Sequence, residues 1–312
     1  IRSFGEKKDE VGNRSLQYTR GLESQQIMPV AKHFPGHGDT DTDSHFALPL
    51  IRHSVARIDT VELYPFRQLI AAGIPGVMVA HLNVPSYDSA NIPASLSHHI
   101  VTQLLREKMH FDGLCFTDAM NMKGVTKGNS PGEADVKALS AGNDILLFPE
   151  NVEATVKKVK AAIRKGILTE EDIDEKCRRV LAAKEKYVLP NVGMIDTTML
   201  SARLNTPADQ ALLQETYAEA ITLIQNKDLL LPLTHLDTLR IASLNFGDRK
   251  AKAFEDMLEK YAPCSHFSIR AGASKEAIEK LLKDLSDYNC VIVYNSAARN
   301  TTSRQFGASQ AL

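Results

Sequence analysis

The chain has 312 residues, 43% of them apolar and 24% charged, and a net charge of −1. That length allows one large or two ordinary domains, and the charge balance leaves no electrostatic footprint for nucleic acid or an anionic membrane surface as partner. No apolar run approaches the roughly 20 residues of a membrane-spanning helix, and the four Cys (Cys115, Cys177, Cys264, Cys290) have neither CxxC nor metal spacing, so they read as ordinary buried thiols indifferent to redox state or kept in a reducing compartment.

The chain opens at Ile1 without Met or signal segment and stops shortly after an expected strand, which reads as a piece cut from a longer protein; no compartment is assigned. After a loop through Gly5, the spacing Val11, Leu16, Tyr18, Leu22 predicts a helix over about 9–22. Residues 28–33 form a first apolar strand. The run that follows, 32–48, packs three His, three Asp and two Gly into one segment with almost no core-forming residues. Such a loop is costly unless it faces water or a site. A helix capped near Ser54 carries Ile58 to Ile70 and ends at Gly73. A second strand, 76–80, runs into His81 and a Pro-punctuated loop. Ser95 or Ser97 starts a helix bearing Ile100, Leu104, Leu105 and Met109. The third strand, 113–117, ends in Asp118. A short helix over 133–141 and a fourth strand over 143–147 follow. Two further helices cover about 152–165 and 170–187, the second with Thr169 as its cap.

Strands that are continuous apolar runs alternating with helices mean parallel strands covered by helices. The fold class is therefore α/β. Polar residues fall just after each strand, as they do on the C-terminal face of a (β/α)8 barrel. Only four barrel strands are visible, so the reading is the C-terminal half of a TIM-type barrel; a doubly wound sheet places its ligand on the same strand ends, and pattern alone does not separate the two. Residues 189–207 lose periodicity and read as a linker between a domain over 1–188 and a second, truncated α/β domain over 208–312. In the latter, 208–220 is helical, 221–233 holds a strand pair around Asn226-Lys227-Asp228, and a strand–helix–strand–helix–strand series runs from about 239 to 294.

Asp118, within Thr117-Asp118-Ala119-Met120, is either a cap on the turn after its strand or a group placed for chemistry. Asp43 and His45 are either a loop stitched by local hydrogen bonds or an acid/base pair. In the second case, an Asp accepting from one ring nitrogen fixes the imidazole tautomer and leaves the other nitrogen to move a proton. His33, His37, Asp39, Asp43 and His45 also include the ligand types zinc prefers, but no His pair has HExxH spacing. His53, His98, His99, His110, His235 and His266 read as surface or packing residues without polar company.

Arg2-Ser3-Phe4-Gly5, Lys32-His33-Phe34-Pro35-Gly36-His37-Gly38, Asp43-Ser44-His45, Pro93-Ala94-Ser95-Leu96-Ser97 and Thr117-Asp118-Ala119-Met120 together resemble glycoside hydrolase family 3. More narrowly, they resemble its β-N-acetylglucosaminidase branch, whose Asp-Ser-His loop the family's β-glucosidases lack. The likeness runs from Ile1 to about Leu189, in motif order. It implies a retaining, exo-acting hydrolase of terminal β-linked N-acetylglucosamine, on peptidoglycan- or chitin-derived sugars, with no cofactor and no metal. Asp118 matches the nucleophile, and His45 with Asp43 the acid/base. Arg2, Lys32 and His33 match positions that hold the sugar's hydroxyl and acetamide groups. The partner implied is a small-molecule or oligosaccharide substrate. The second domain resembles the α/β sandwich that follows the barrel in longer members. Alternatives are a family 3 β-glucosidase, a glycoside phosphorylase, a metal-dependent hydrolase using the His/Asp loop, and a non-catalytic sugar-binding protein, for which a nucleophile and proton carrier together are superfluous.

Overall fold

The structure, a computed structural model, describes residues 4–40, 48–194, 197–247, 250–270 and 272–296. The chain divides into two units, Ile1–Asp196 and Thr197–Leu312. Each is an α/β layer structure built on an all-parallel sheet.

In the first unit four strands lie in chain order: β1 (Val30–Phe34), β2 (Gly76–Val79), β3 (Leu114–Ala119) and β4 (Ile145–Leu147). Each step to the next parallel strand needs a crossover, and helices supply it. One core, centred on Phe34, Ile58, Leu63, Val77, Val79, Leu82, Ile100, Leu105, Phe111 and Cys115, fills the space between sheet and helices. Phe34 meets Phe66 edge-on, with ring centroids 5.2 Å apart.

The helix expected from near Ser54 to Gly73 is two helices, Val55–Thr60 and Leu63–Ala71. Pro65 has no N–H to give the carbonyl of Val61, so a continuous helix would lose a bond there; Pro is instead accommodated in the first turn of the second helix. The segment His99–Lys108 is wound as a π-helix, with Met109 N–H bonded back to Leu104 O at 3.0 Å. Its start is capped by Ser97, whose Oγ accepts from Ile100 N–H and donates to Asp88 Oδ2 at 2.5 Å. The helix Glu133–Ala141 stops at Gly142, whose φ of +116° suits glycine and whose added Cβ would lie 2.6 Å from Thr102 Oγ1.

The N-terminal end of the sheet is fastened by one carboxylate. Asp144, its side chain fully buried, accepts from Arg106 at 2.5 Å, from Cys115 N–H at 2.8 Å and from Arg179 Nε at 2.9 Å. It thereby joins β3 and β4 to the π-helix and to the helix Glu170–Tyr187. Buried Lys176 stands in the same field, and desolvation lowers its pKa against the pull of Asp144.

The second unit is a three-stranded parallel sheet in the order β6-β5-β7, with β5 (Ile241–Phe246) buried between β6 (Cys264–Ile269) and β7 (Cys290–Asn295). Leu244, Phe246 and Ile269 form its small core against the helix Lys275–Leu285. The strand pair expected at 221–233 is not present. Instead, Asn226 bonds through its side chain to both N–H and C=O of Leu231, closing a local loop around a short 3-10 turn, Lys227–Leu229. β-rich composition makes a strand only where an edge pairs with it.

Of the four Cys, only Cys115 is buried; Cys264 and Cys290 are partly exposed and Cys177 is exposed, which corrects the uniform expectation. Burial pushes the Cys115 thiol up to about 12, so it is inert at neutral pH. No helix among the described residues is long and apolar enough to cross a membrane.

Candidate active site

Parallel strands bring their C-terminal tips to one edge of the sheet. There the ladder runs out and side chains and loops take over the backbone's hydrogen bonds. The tip residues are His33 on β1, His81 just after β2, Asp118 and Ala119 closing β3, and Leu147 closing β4.

The β1–β2 register shifts between Ala31 and Phe34, and a shift of this kind re-aims the side chains within it. Phe34 O resumes pairing by accepting from Ala80 N–H at 2.9 Å. His33, inside the irregular stretch, points Nε2 to within 3.7 Å of Asp118 Oδ2; the two side chains are 24% and 15% exposed. The other Asp118 oxygen, Oδ1, accepts from Ala119 N–H at 2.9 Å. The ring of His37 stands edge-on to that of His33, centroids 5.9 Å apart, and its Nδ1 is 2.8 Å from Thr40 Oγ1.

A second register shift, between Phe116 and Ala119, marks the β3–β4 tip. Thr117 Oγ1, buried, accepts from Leu147 N–H at 3.0 Å, and Met120 N–H donates to Leu147 O at 2.7 Å. On the other flank stands His81, fully buried. Its Nε2 lies 3.0 Å from Ala119 O and its Nδ1 2.7 Å from Ser95 Oγ. A carbonyl only accepts, so Nε2 carries the proton and Nδ1 accepts from the Ser95 hydroxyl. Ser95 is held in turn by its N–H to Ala80 O at 3.2 Å, and its carbonyl accepts from Asn143 Nδ2 at 2.8 Å. Burial lowers the His81 pKa, opposed by the Ala119 hydrogen bond and the Asp118 charge.

His33 and Asp118 are thus brought together, and Lys32 lies one residue away on β1, exposed. Arg2, Asp43 and His45 lie outside the described residues. Asp39, grouped with the His/Asp loop by sequence, turns instead to His53, 2.7 Å from Nε2. Among the described residues no three His, Cys, Asp or Glu side chains gather to hold a metal. His53, His99 and His266, expected without polar company, each have a partner: Asp39, Gln103, and Ser243 with Glu259, respectively. The sequence pattern does not single out His81, although it follows the apolar run 76–80 as Asp118 follows the run 113–117. A cleft of about 500 Å³ between the helices Glu133–Ala141 and Val152–Arg164 is lined by none of these tip residues.

The profile of the glycosyl hydrolase family 3 N terminal domain matches residues 1–183. A beta-hexosaminidase A from Pseudoalteromonas piscicida is 31% identical over 283 residues, 84% of this chain and 46% of its own length. A beta-N-acetylglucosaminidase/beta-glucosidase from Cellulomonas fimi is 29% identical over 94% of this chain and 55% of its own. The chain therefore spans about half the length of these curated relatives. Among solved structures, a family 3 beta-N-acetylglucosaminidase from Paenibacillus sp. str. FPU-7 superposes with a TM-score of 0.80 at 28% identity, over 94% of this chain and 58% of that one. A beta-glucoside phosphorylase bound to 2FGlc does so with 0.81 at 26% identity, over 96% and 57%.

Proposed function

Since this chain belongs to glycosyl hydrolase family 3, we propose that it carries the catalytic carboxylate of a retaining exo-β-N-acetylglucosaminidase. The observation that supports this most is Asp118: a carboxylate at a strand tip, one oxygen held by Ala119 N–H and the other facing His33. In this reading Asp118 attacks the anomeric carbon while His45, oriented by Asp43, protonates the departing glycosidic oxygen. A glycosyl-aspartate results. His45 then takes a proton from water as that water displaces Asp118 from the anomeric carbon, restoring the original stereochemistry. Retaining enzymes ordinarily divide these tasks between two carboxylates; an imidazole with an unperturbed pKa near 6.5 suits a group that both gives and takes a proton near neutrality. Lys32, His33 and Arg2 hold the hydroxyl and acetamide groups of the sugar.

The same reading makes β1 to β4 the C-terminal half of a (β/α)8 barrel, with the domain over 1–188, a linker over 189–207, and a partial sandwich domain over 208–312. An oligosaccharide with a terminal N-acetylglucosamine, of peptidoglycan or chitin origin, is the substrate. A second reading, phosphorolysis or action on a β-glucoside, draws on the structural likeness to the beta-glucoside phosphorylase. The full-length protein separates them when given p-nitrophenyl β-N-acetylglucosaminide and p-nitrophenyl β-glucoside, each with and without phosphate. Free N-acetylglucosamine at a phosphate-independent rate supports the first reading. A sugar 1-phosphate, or preference for the glucoside, supports the second.

A further inference from the structure

The parallel β2–β3 ladder ends at Val79 opposite Thr117. Beyond it the Ala119 carbonyl points toward β2, where no strand residue remains to donate to it. His81 Nε2–H takes the place of that ladder bond, at 3.0 Å. Ala119 is the residue whose N–H holds Asp118 Oδ1. The two peptide groups flanking the Ala119 Cα are therefore fixed on opposite sides: one by the buried imidazole, the other by the carboxylate it serves.

Resting on the reading of Asp118 as nucleophile, we propose that His81 is a positioning residue for the reaction: by holding Ala119 O it fixes the backbone that aims Asp118 Oδ2 toward the sugar. The imidazole does this only as one tautomer, and Ser95 selects it. Its hydroxyl donates to Nδ1 at 2.7 Å and leaves the single ring proton on Nε2. Ser95 is immobilised by Ala80 O and by Asn143, itself buried and bonded also to Ala138 O. An uncharged ring is what the cavity favours, since burial opposes protonation. The Pro93-Ala94-Ser95-Leu96-Ser97 stretch thus has two mechanical duties: Ser95 sets His81 and Ser97 caps the π-helix.

The test uses the full-length protein and p-nitrophenyl β-N-acetylglucosaminide. His81→Leu removes both hydrogen bonds at similar volume. A carboxylate released by about an ångström loses on the order of 100-fold in rate, so kcat falls by about that factor while KM stays within about threefold. His81→Gln, with an amide nitrogen near the position of Nε2, recovers at least tenfold of the loss. Ser95→Ala, which frees the tautomer but keeps the ring, lowers kcat several-fold when assayed well below its melting transition. Wild-type kcat in both His81→Leu and Ser95→Ala overturns the proposal, as does equal loss in His81→Leu and His81→Gln. Should His81→Leu fail to fold, Ser95→Ala decides alone by the same criterion. Absence of turnover in the wild type itself counts against the functional reading, and is thereby distinguished from failure of the role given to His81.

Discussion

Asp144 tests the view that the two ends of the sheet have separate duties. Its carboxylate is wholly enclosed and answers three donors: Arg106, Arg179 and Cys115 N–H. Replacing it by Ala leaves two guanidinium groups and nearby Lys176 without their counter-charge. Arg106 keeps the carbonyls of Phe111 and Gly113, at 3.1 and 2.6 Å, whereas Arg179 keeps only a 4.0 Å approach to Glu175 among the contacts resolved. Removing one partner of a buried ionic cluster costs about 3–5 kcal/mol. For a unit of this size each kcal/mol moves the melting temperature by roughly 2–4 °C, so Asp144→Ala should melt about 6–20 °C lower. Circular dichroism melts of the full-length protein read this directly. The exposed pair Arg178–Glu171, 61% and 65% exposed at 3.0 Å, is the control, and Arg178→Ala should leave the melt unchanged. Because Asp144 lies at the opposite end of the sheet from Asp118, kcat well below the new melting temperature should stay near wild type. A loss smaller than about 1 kcal/mol, the scale of an exposed pair, or a collapse of kcat in a folded variant, would be incompatible with Asp144 as a fastener remote from the strand tips.

The other expectations concern the tips. Asp118→Ala should lower turnover by about 10³-fold or more, as loss of a covalent nucleophile does, and azide should restore product as the glycosyl azide of inverted configuration; turnover within tenfold of wild type sinks the assignment. A chelator such as EDTA should leave the rate unchanged, because Asp39, one of the candidate ligands, is turned to His53; loss of activity restored by zinc would favour the metal-dependent reading. His81 should make folding pH-dependent. Its folded pKa lies below the ordinary 6.5, so the unfolded chain binds more protons beneath that value. Its contribution is therefore full above 6.5 and is lost as pH falls below it. Urea denaturation near pH 7.5 and 5.5 should show a smaller drop in stability for His81→Gln than for wild type, and an equal drop contradicts the assignment of a buried neutral imidazole.

Much of the first unit is legible in its amino-acid sequence. The apolar runs at 30–34, 76–79, 114–119 and 145–147 have the parallel-strand signature, and Thr169 with Asp172 forms the expected helix start as a capping box. Asp118 stands out because a charged residue ends an apolar strand. His81 does not, because a single His after a strand has no pattern until Ser95 and Ala119 are seen on either side of it. The split at Pro65 follows from a local rule that apolar spacing alone does not carry. The loop at 221–233 shows the reverse: β-branched composition is local, whereas a strand is decided by its partner. The partners of His53 and His266 are invisible in sequence for a similar reason, since those hydrogen bonds depend on folded geometry, whereas Gln103 stands four residues from His99 on an expected helix, a spacing that brings two side chains together.

The covalent role of Asp118 can be read by mass spectrometry of the full-length protein. The protein is mixed with a 2-fluoro or otherwise slowly deglycosylating N-acetylglucosaminide, digested and mapped. A stable sugar adduct is expected on the peptide containing Asp118, and none in Asp118→Ala. Turnover of substrate with no adduct, or an adduct on another residue, would contradict it.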